Sequence, residues 1–339
     1  MTATLRVLQA GPGVTLQDGG RWGYLRYGVT AAGPMDVLAH EVANRAAGRE
    51  ANAAAVEISV GGFEAMVEDA SLDVAVVAPG FRVSRDGAAL PSACFLTLAP
   101  RQRLSIRAGD SGAWGYLALA GRIDAQPELG SLSMHVRTGV GGGGFKAGDL
   151  IHVADVRASS VQPRALPPVR DMSAIAPIRV VLGPQDDYFD AENIARFLDG
   201  PWRVAARSDR MAYALEGPRI AHAKGFNIVS DGIAFGAIQI PGDGAPFVQM
   251  ADRAPTGGYP KIANAIAADL GRLAQMRPGA TLRFEAVTVA EAVAAWKTAR
   301  AGVDQALTGA ANGGDLSAEA LLGANLVSGV VSAVGGDDR

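Results

Sequence analysis

The chain has 339 residues, of which 49% are apolar and 19% are charged, a composition typical of packed globular proteins. The formal net charge of -3 argues against a nucleic-acid or membrane-surface partner, because proteins that bind either one usually carry a basic excess. Cys94 is the single cysteine, which excludes an internal disulfide and favours a reducing compartment. The first residues show no secretory signal, and no apolar run is long enough to cross a membrane, so we expect a cytoplasmic protein.

Short apolar runs separated by glycines predict many strands joined by tight turns. Arg103–Arg107 and Thr281–Glu285 alternate polar and apolar residues, as half-buried strands do. Val74–Val77 is a continuous apolar run, which predicts a strand that is buried on both faces. The apolar run around Cys94 predicts another buried strand, with Cys94 as a core residue rather than a nucleophile.

Two hairpins are predicted from turn residues that separate apolar runs. Asp86-Gly87 stands between Phe81–Ser84 and Ala88–Leu90, and aspartate followed by glycine is a preferred two-residue hairpin turn. The runs Ala237–Ile240 and Phe247–Met250 flank a Pro-Gly-Asp-Gly sequence, which predicts a second hairpin with a longer tip. Together these patterns predict a mainly β fold with a few helices.

Helices are predicted at fewer places. Met35–Ala47 is preceded by Pro34 and followed by Gly48, which are suitable start and stop residues. Ala191–Leu198 follows Asp190, a suitable N-cap. Both segments are therefore predicted to be helical.

Two further helices are predicted nearer the end of the chain. Apolar residues at helical spacing between Ile262 and Leu270 predict the first of them. Thr288 and Glu291 form a capping box that opens the second. The residues predicted to share one face of that last helix are Val289, Val293 and Trp296.

A domain boundary is predicted where periodicity is lost. The stretch Val156–Ala176 contains three prolines and is the best candidate for a linker. It divides the chain into two β-rich domains, 1–172 and 173–298. The alanine- and glycine-rich remainder, 299–339, is predicted to be a helical tail, with a helix from Ser317 through Val331.

The residue patterns of common catalytic sites are missing. None of the four histidines is spaced for metal binding with the cysteine or with another histidine, so no metal site is predicted. Gly139–Lys146 is rich in glycine, but Phe145 stands where the lysine of a phosphate-binding loop belongs. This segment is predicted to be a flexible turn, and an anion contact through its backbone N–H groups is the alternative.

Three polar segments punctuated by glycines, 11–36, 208–211 and 251–261, carry more functional side chains than loops require. Their Gln, Asp, Arg, Thr, Tyr and Lys residues can position a planar amide or a carboxylate. The simpler alternative is that the aspartates cap turns and helices while the arginines pair with them structurally. That alternative applies to Asp18, Asp36, Asp252, Arg21 and Arg210. For the segments taken together, we predict a binding site.

The same segments carry a family resemblance. The motifs are Val14–Tyr24, Gly33–Asp36, Ser208–Met211, Leu215–Pro218, Gly236–Pro241 and Thr256–Lys261. In order and spacing they resemble the carboxyltransferase-like family over most of the chain. This family includes the C subunit of 5-oxoprolinase, allophanate hydrolase subunit 2, the regulatory protein KipA and half of the urea carboxylase carboxyltransferase domain. The resemblance implies two cyclophilin-like β-barrel domains.

The resemblance also implies a function and partners. It implies the C subunit of a complex that converts 5-oxoproline, ATP and water to glutamate, ADP and phosphate. The partners would be the KipI-like B subunit of 5-oxoprolinase and its A subunit, and the isolated chain would be inactive. ATP is used by the complex, at a site that the sequence does not locate. The alternatives are a carboxyltransferase subunit of a biotin-dependent urea-type carboxylase, with biotin on another chain, and a KipA-like regulatory binding protein.

Site residues are predicted within the polar segments. Arg21, Arg210 and Lys261 would act as anion clamps, because lactam activation needs groups that hold carboxylate and phosphate in register. Asp18, Asp36 and Asp252 would orient water, a metal or an amide N–H. The predicted catalytic residues are therefore Asp18, Arg21, Asp36 and Lys261. The predicted substrate-binding residues are Gln17, Tyr24, Arg210, Gln239, Asp252, Thr256, Gly257, Gly258 and Tyr259.

Overall fold

The computed structural model describes residues 1–157, 159–169 and 176–312. Within these residues the chain is mainly β, with three large sheets and four α-helices, which confirms the predicted fold class. We call residues 1–169 the first half and residues 176–312 the second half.

Thirteen strands lie in the described part of the first half. They are β1 (Ala3–Ala10), β2 (Thr15–Gln17), β3 (Ala55–Ser59), β4 (Phe63–Val67), β5 (Leu72–Val77), β6 (Arg82–Arg85), β7 (Ala88–Leu90), β8 (Ala93–Leu98), β9 (Arg103–Arg107), β10 (Trp114–Leu119), β11 (Arg122–Ile123), β12 (Leu150–Ala154) and β13 (Arg164–Ala165).

The described second half contributes ten more strands. They are β14 (Ile178–Leu182), β15 (Trp202–Val204), β16 (Ala212–Glu216), β17 (Asp231–Gly232), β18 (Ala237–Gln239), β19 (Phe247–Gln249), β20 (Thr256–Gly257), β21 (Lys261–Ala265), β22 (Thr281–Leu282) and β23 (Phe284–Ala286). The helices are α1 (Val37–Ala46), α2 (Ala191–Asp199), α3 (Ala267–Ala274) and α4 (Val289–Asn312), with short 3-10 helices at Leu25–Tyr27 and Asp186–Tyr188.

The first half consists of two sheets packed face to face. One has the strand order β11-β12-β1-β4-β9-β6-β7 and the other the order β13-β8-β5-β10-β3-β2. Leu5 and Phe63 of the first sheet pack with Val74 and Leu117 of the second in a buried core. Consecutive strands such as β3 and β4 lie in different sheets, so short connections tie the two layers together.

The strand β5 shows how the second half attaches to the first. Val74 and Val76 lie in the core between the two sheets. Ala75 and Val77 point to the opposite face and lie in a second core, which continues into α1 and the second half. The prediction that Val74–Val77 is buried on both faces is therefore confirmed. The six-stranded sheet forms the layer shared by both cores.

The second half is built around an eight-stranded sheet with the order β22-β15-β16-β19-β18-β21-β14-β23. Its two edge strands, β22 and β23, are separated in the chain by Arg283 alone. One continuous stretch therefore pairs with β15 on one side and with β14 on the other, and the sheet nearly closes into a barrel. This arrangement agrees with the barrel fold that the family resemblance implies.

Both predicted hairpins are confirmed. β6 pairs with β7 across Asp86 and Gly87, whose φ angles of 49° and 84° lie in the left-handed region that a tight hairpin turn requires. β18 pairs antiparallel with β19, as the second pattern predicts. In both cases the local turn chemistry specifies the pairing.

The residues predicted to cap helix N-termini do so in the structure. Asp190 caps α2 by accepting a hydrogen bond from the backbone N–H of Asn193 at 2.8 Å. Thr288 and Glu291 exchange the reciprocal hydrogen bonds of a capping box at the start of α4. The helix predicted from Met35 begins at Val37, because Asp36 is its N-cap.

One helix prediction needs correction. Residues 261–265 form the strand β21, and α3 begins only at Ala267. A short, mostly apolar run fits either period, and here pairing with β14 and β18 decides for a strand. On α4, the spacing of Val289, Val293 and Trp296 puts them on one face, as predicted. This face packs on the body at Trp296 and Val303, whereas Val289 and Val293 in the first turns are exposed.

The predicted domain limits at 172 and 298 remain predictions. Part of the predicted linker, β13, pairs with β8, and α4 continues to Asn312. The helix predicted from Ser317 through Val331 lies outside the described residues. Among the described helices, none combines the length and apolar character needed to span a membrane.

Candidate functional site

A buried polar network joins the two halves around Arg210, which lies between β15 and β16. Its guanidinium donates to both carboxylate oxygens of Asp252, at 3.1 and 2.8 Å, and to Glu57 on β3. It also donates to the carbonyl of Gly33 at 2.7 Å. All three charged side chains are buried. We call Glu57, Arg210 and Asp252 the seam network.

Each charge of the seam network is paired. Burial raises the pKa of Glu57, and the positive charge of Arg210 only partly offsets this effect. Burial alone would lower the pKa of Arg210, but the two carboxylates raise it above its ordinary value. The second carboxylate oxygen of Glu57 accepts from the Met35 N–H and from the Tyr116 hydroxyl, both at 2.8 Å. Arg210 is therefore a fixed cation that ties β3 to the second half.

Asp36 extends this connection from the N-terminus of α1. One carboxylate oxygen accepts from the Ala39 N–H at 3.2 Å, which is the helix cap. The other accepts from the side-chain amide of Gln275 at 3.0 Å. Gln275 in turn accepts from the backbone N–H groups of Ala113 and Trp114. Asp36 thus has the capping role of the simpler alternative and also bridges the halves.

A cavity of about 610 Å³ opens beside the seam network. We call it the seam cavity. The residues that line it include Trp114, Tyr213, Met276, Arg210, Asp252 and Arg137. The Trp114 indole donates to the Tyr213 hydroxyl at 3.1 Å, which fixes both rings in the wall. Apolar walls with a few convergent polar groups are typical of small-molecule sites.

The predicted residues Gln17, Asp18 and Arg21 form a second group, the N-terminal cluster. Asp18 accepts hydrogen bonds from the hydroxyls of Ser131 and Ser133, each at 2.6 Å, and from the backbone N–H groups of Gly20 and Leu132. Burial would raise the pKa of Asp18, but these donors lower it. The Asp18 carboxylate therefore accepts four hydrogen bonds from groups of the protein itself.

The side chains of Arg21 and Gln17 also make hydrogen bonds to other groups of the protein. The buried Arg21 guanidinium donates to the backbone carbonyls of Glu128, Ser131 and Ser133. Gln17 donates to the carbonyl of Met134 at 2.9 Å, and its side-chain oxygen accepts from the Gly33 N–H at 3.2 Å.

Gly33 therefore joins two groups of predicted residues. Its N–H is bound by Gln17 and its carbonyl by Arg210. The segment after Ser131 makes a second connection, because the His135 ring is 3.1 Å from the Asp252 carbonyl. The N-terminal cluster thus braces the loops behind the seam network.

A third group, the ribbon cluster, comprises Gln239, Thr256–Tyr259 and Lys261. β20 pairs with β17, and the Lys261 ammonium donates to Asp231 of β17 at 2.7 Å. The Lys261 side chain is 3% exposed, whereas that of Asp231 is 52% exposed. The Lys261 side chain is therefore buried, and its ammonium pairs with an aspartate that is partly exposed at the surface.

The amide groups of the ribbon cluster are held tightly. Gln239 donates to the Tyr259 carbonyl at 3.1 Å and accepts from Gln249 at 2.7 Å. A Cβ at Gly257 would lie 2.8 Å from the Gln239 amide nitrogen, so a side chain there would displace it. Gly258 accepts from the Ile228 N–H at 2.9 Å.

Predicted site residues thus lie in three groups: the seam network with Asp36, the N-terminal cluster and the ribbon cluster. Tyr24 lies outside them, with its ring centroid 6.5 Å from that of Tyr27. Sequence reasoning missed Glu57, Tyr116 and Asp231. A lone glutamate within the apolar run of β3 was a usable signal for Glu57. Among the described residues, no group of three or more His, Cys, Asp or Glu side chains could hold a metal ion.

The family described as "Carboxyltransferase domain, subdomain A and B" matches residues 27–286. The chain is 33% identical over 294 residues to the C subunit of 5-oxoprolinase from Escherichia coli (strain K12), covering 86% of this chain and 94% of that protein. It is 28% identical over 302 residues to urea amidolyase of Saccharomyces cerevisiae, covering 83% of this chain and 16% of that protein.

The fold also recurs in a solved structure. The crystal structure of the K. lactis urea amidolyase matches with a TM-score of 0.80 and 26% sequence identity. The match covers 89% of this chain and 20% of that chain. This architecture therefore occurs both as nearly the whole of one 5-oxoprolinase polypeptide and as one segment of a much longer chain.

Proposed function

Because this chain belongs to the carboxyltransferase domain, subdomain A and B, family, we propose that it is the C subunit of an ATP-dependent 5-oxoprolinase. It would act with the B and A subunits to convert 5-oxoproline, ATP and water to glutamate, ADP and phosphate. The observation that carries the proposal is the similarity to the C subunit of 5-oxoprolinase over 94% of that protein's length. By contrast, the similarity to urea amidolyase covers a small part of a longer protein.

The seam cavity is our proposed binding site for the lactam. Its volume of about 610 Å³ lies within the usual range for small-molecule pockets. Trp114 and Tyr213 offer flat apolar surfaces to the ring. Arg137 lines the same cavity with a 65% exposed side chain, and its nearest carboxylate, that of Asp209, is 3.7 Å away. In this proposal Arg137 binds the substrate carboxylate.

We assign roles to the residues according to which polar groups lack hydrogen-bond partners within the protein. A lactam carbonyl is a poor electrophile, so ATP would phosphorylate its oxygen. One water would then add to the carbonyl carbon and the C–N bond would break to give an acyl phosphate, which a second water would hydrolyse to glutamate and phosphate. Arg210 already makes four hydrogen bonds, so we assign it to positioning the cavity floor. The ATP site and the groups that activate water would come from the partner chains, and the isolated chain is expected to be inactive.

Reconstitution tests this proposal. The chain would be co-expressed with the B and A subunits from the same genome, and glutamate release from 5-oxoproline and ATP would be measured with each chain omitted in turn. We expect release only when all three chains are present. An assembled complex that releases no glutamate would contradict the proposal.

A matched pair of variants tests the cavity. Arg137→Gln should raise KM for 5-oxoproline about tenfold or more, because a charge-assisted contact to the carboxylate is lost. Arg203→Gln is the control, since Arg203 is 60% exposed, pairs with Glu216 and does not line the cavity. Equal KM values in both variants would remove Arg137 from the site without affecting the proposed reaction.

A second candidate function is carboxyl transfer from biotin to a urea-like acceptor. The TM-score of 0.80 with the K. lactis urea amidolyase favours it. Biotin would have to arrive on another chain, because this sequence carries no Ala-Met-Lys-Met motif. Urea-dependent consumption of carboxylated biotin by the same reconstituted chains, without glutamate release, would decide for this candidate.

A further inference from the structure

A second cavity, of about 220 Å³, lies between the N-terminal segment, α1, α4 and the loop after β19. It shares no lining residue with the seam cavity. Its apolar surface comes from Trp22, Pro34 and Phe235, and its charged residues are Glu41, Arg253 and Arg300. We call it the Arg253 cavity.

Arg253 is a buried cation with few partners. It is 4% exposed, and among the described residues no carboxylate lies within 4 Å of its guanidinium. Its Nε donates to the Ile233 carbonyl at 2.9 Å, and its Nη1 makes only a long 3.5 Å contact to the Ala251 carbonyl. Its Nη2 has no hydrogen-bond partner in the described chain. Burial lowers the pKa of Arg253 to about 10, which leaves the side chain charged near neutral pH.

The other charges around the cavity neutralise one another. Glu41 pairs with Arg45 at 3.1 Å and with Arg300, and Arg45 also pairs with Asp304 at 2.6 Å. Glu41 and Asp304 are thus occupied by Arg45 and Arg300, and neither forms an ion pair with Arg253. The charge of the neighbouring Asp252 partly offsets the effect of burial on the pKa of Arg253, but both of its carboxylate oxygens are hydrogen-bonded to Arg210 and make no hydrogen bond to Arg253.

We propose that the Arg253 cavity binds a small monocarboxylate, with its carboxylate on the Arg253 guanidinium and its apolar end against Phe235 and Trp22. A buried arginine with a free nitrogen offers donors in the plane that a carboxylate matches. A monoanion suits this cavity better than a phosphate group, which carries up to about two negative charges at neutral pH, because the carboxylates of Glu41 and Asp252 lie close by and repel the second charge. The proposal is independent of the reaction assigned to the seam cavity.

The test is the thermal stability of the purified chain with increasing sodium acetate or sodium propionate. Sodium chloride at matched ionic strength is the reference. A ligand that binds only the folded state raises Tm in a saturable way. We expect saturable stabilisation by both carboxylates, and stabilisation by sodium phosphate smaller by half or more. An equal effect of phosphate would overturn the assignment to a monocarboxylate.

Two variants connect the effect to the cavity. Arg253→Gln should weaken carboxylate binding about tenfold or more, because a charge-assisted contact is lost. Without carboxylate, its Tm should equal or exceed that of the parent chain, because a buried charge that has no carboxylate hydrogen-bonded to it has been removed. Ala51→Leu enlarges another residue of the cavity lining and should abolish the stabilisation while Arg253 stays in place. Unchanged carboxylate responses in both variants, or no response in the parent chain, would overturn the proposal.

Discussion

The N-terminal cluster and the ribbon cluster both consist of polar residues from family motifs, but they differ in what their polar groups contact. Asp18 is saturated by four donors, and Arg21 binds three backbone carbonyls. In the ribbon cluster, Lys261 makes one ion pair to an aspartate that is 52% exposed, and Tyr259 is 39% exposed. We infer that the first cluster holds the loops in place and that the second remains open to a ligand or partner.

The seam network should show the largest stability effect. Arg210→Met keeps the apolar stem of the side chain but leaves Glu57 and Asp252 buried without a counter-charge. We expect a loss of about 3–5 kcal/mol in the free energy of unfolding, measured by chemical denaturation. Arg203→Met is the control, because it breaks an exposed ion pair with Glu216 that contributes about 1 kcal/mol or less. Similar losses in the two variants would contradict a structural role for the seam network.

The next effect depends on pH. His40 is buried with its ring 3.1 Å from the Gln17 carbonyl, and burial lowers its pKa from 6.5 to about 4. The unfolded chain therefore binds a proton below pH 6.5 that the folded chain rejects. This contribution to stability is complete above pH 6.5 and falls by about 3 kcal/mol as the pH drops to 4.

Replacement of His40 tests this account. The free energy of unfolding of His40→Gln should depend less on pH between 6.5 and 4 than that of the parent chain. Chemical denaturation at a series of pH values measures the difference. Parallel curves for the two chains would show that His40 is not kept neutral by burial.

Asp18 should show a smaller stability effect. Asp18→Asn replaces a carboxylate that accepts from two hydroxyls and two backbone N–H groups. We expect a loss of about 1.5–3 kcal/mol at pH 7, the usual contribution of hydrogen bonds to a charged group. Because the pKa of Asp18 is lowered in the folded chain, the loss should shrink as acid protonates the carboxylate. A loss that is the same at pH 3 as at pH 7 would count against this explanation.

Local rules predicted the local parts of the fold. The Asp86-Gly87 turn, the N-cap Asp190 and the capping box at Thr288 each act within a few residues, and each prediction is confirmed. The continuous apolar run Val74–Val77 also indicated burial on two faces. These features depend on neighbours in sequence or on side-chain polarity alone.

The candidate site was less predictable, because its contacts are long-range. Arg210 and Glu57 are 153 residues apart, and Asp36 and Gln275 are 239 residues apart. The motifs identified Arg210 and Asp252 as site residues but gave no signal for Gln275, which is an ordinary residue at the end of α3. The strand β21 was also mistaken for a helix, because its pairing with β14 and β18 is a tertiary property.

Lys261 gives the smallest expected change in stability and the most direct test of the comparison between the clusters. Lys261→Met keeps the buried aliphatic stem and breaks a half-exposed ion pair, so we expect a stability loss of about 1 kcal/mol or less. Glutamate release and the free energy of unfolding should be measured together for Lys261→Met and Asp18→Asn in the reconstituted complex of all three chains. We predict that Lys261→Met loses turnover with its stability nearly intact, and that Asp18→Asn loses stability but keeps turnover wherever it is folded. The reverse result, normal turnover in Lys261→Met and inactive but stable Asp18→Asn, would contradict the account.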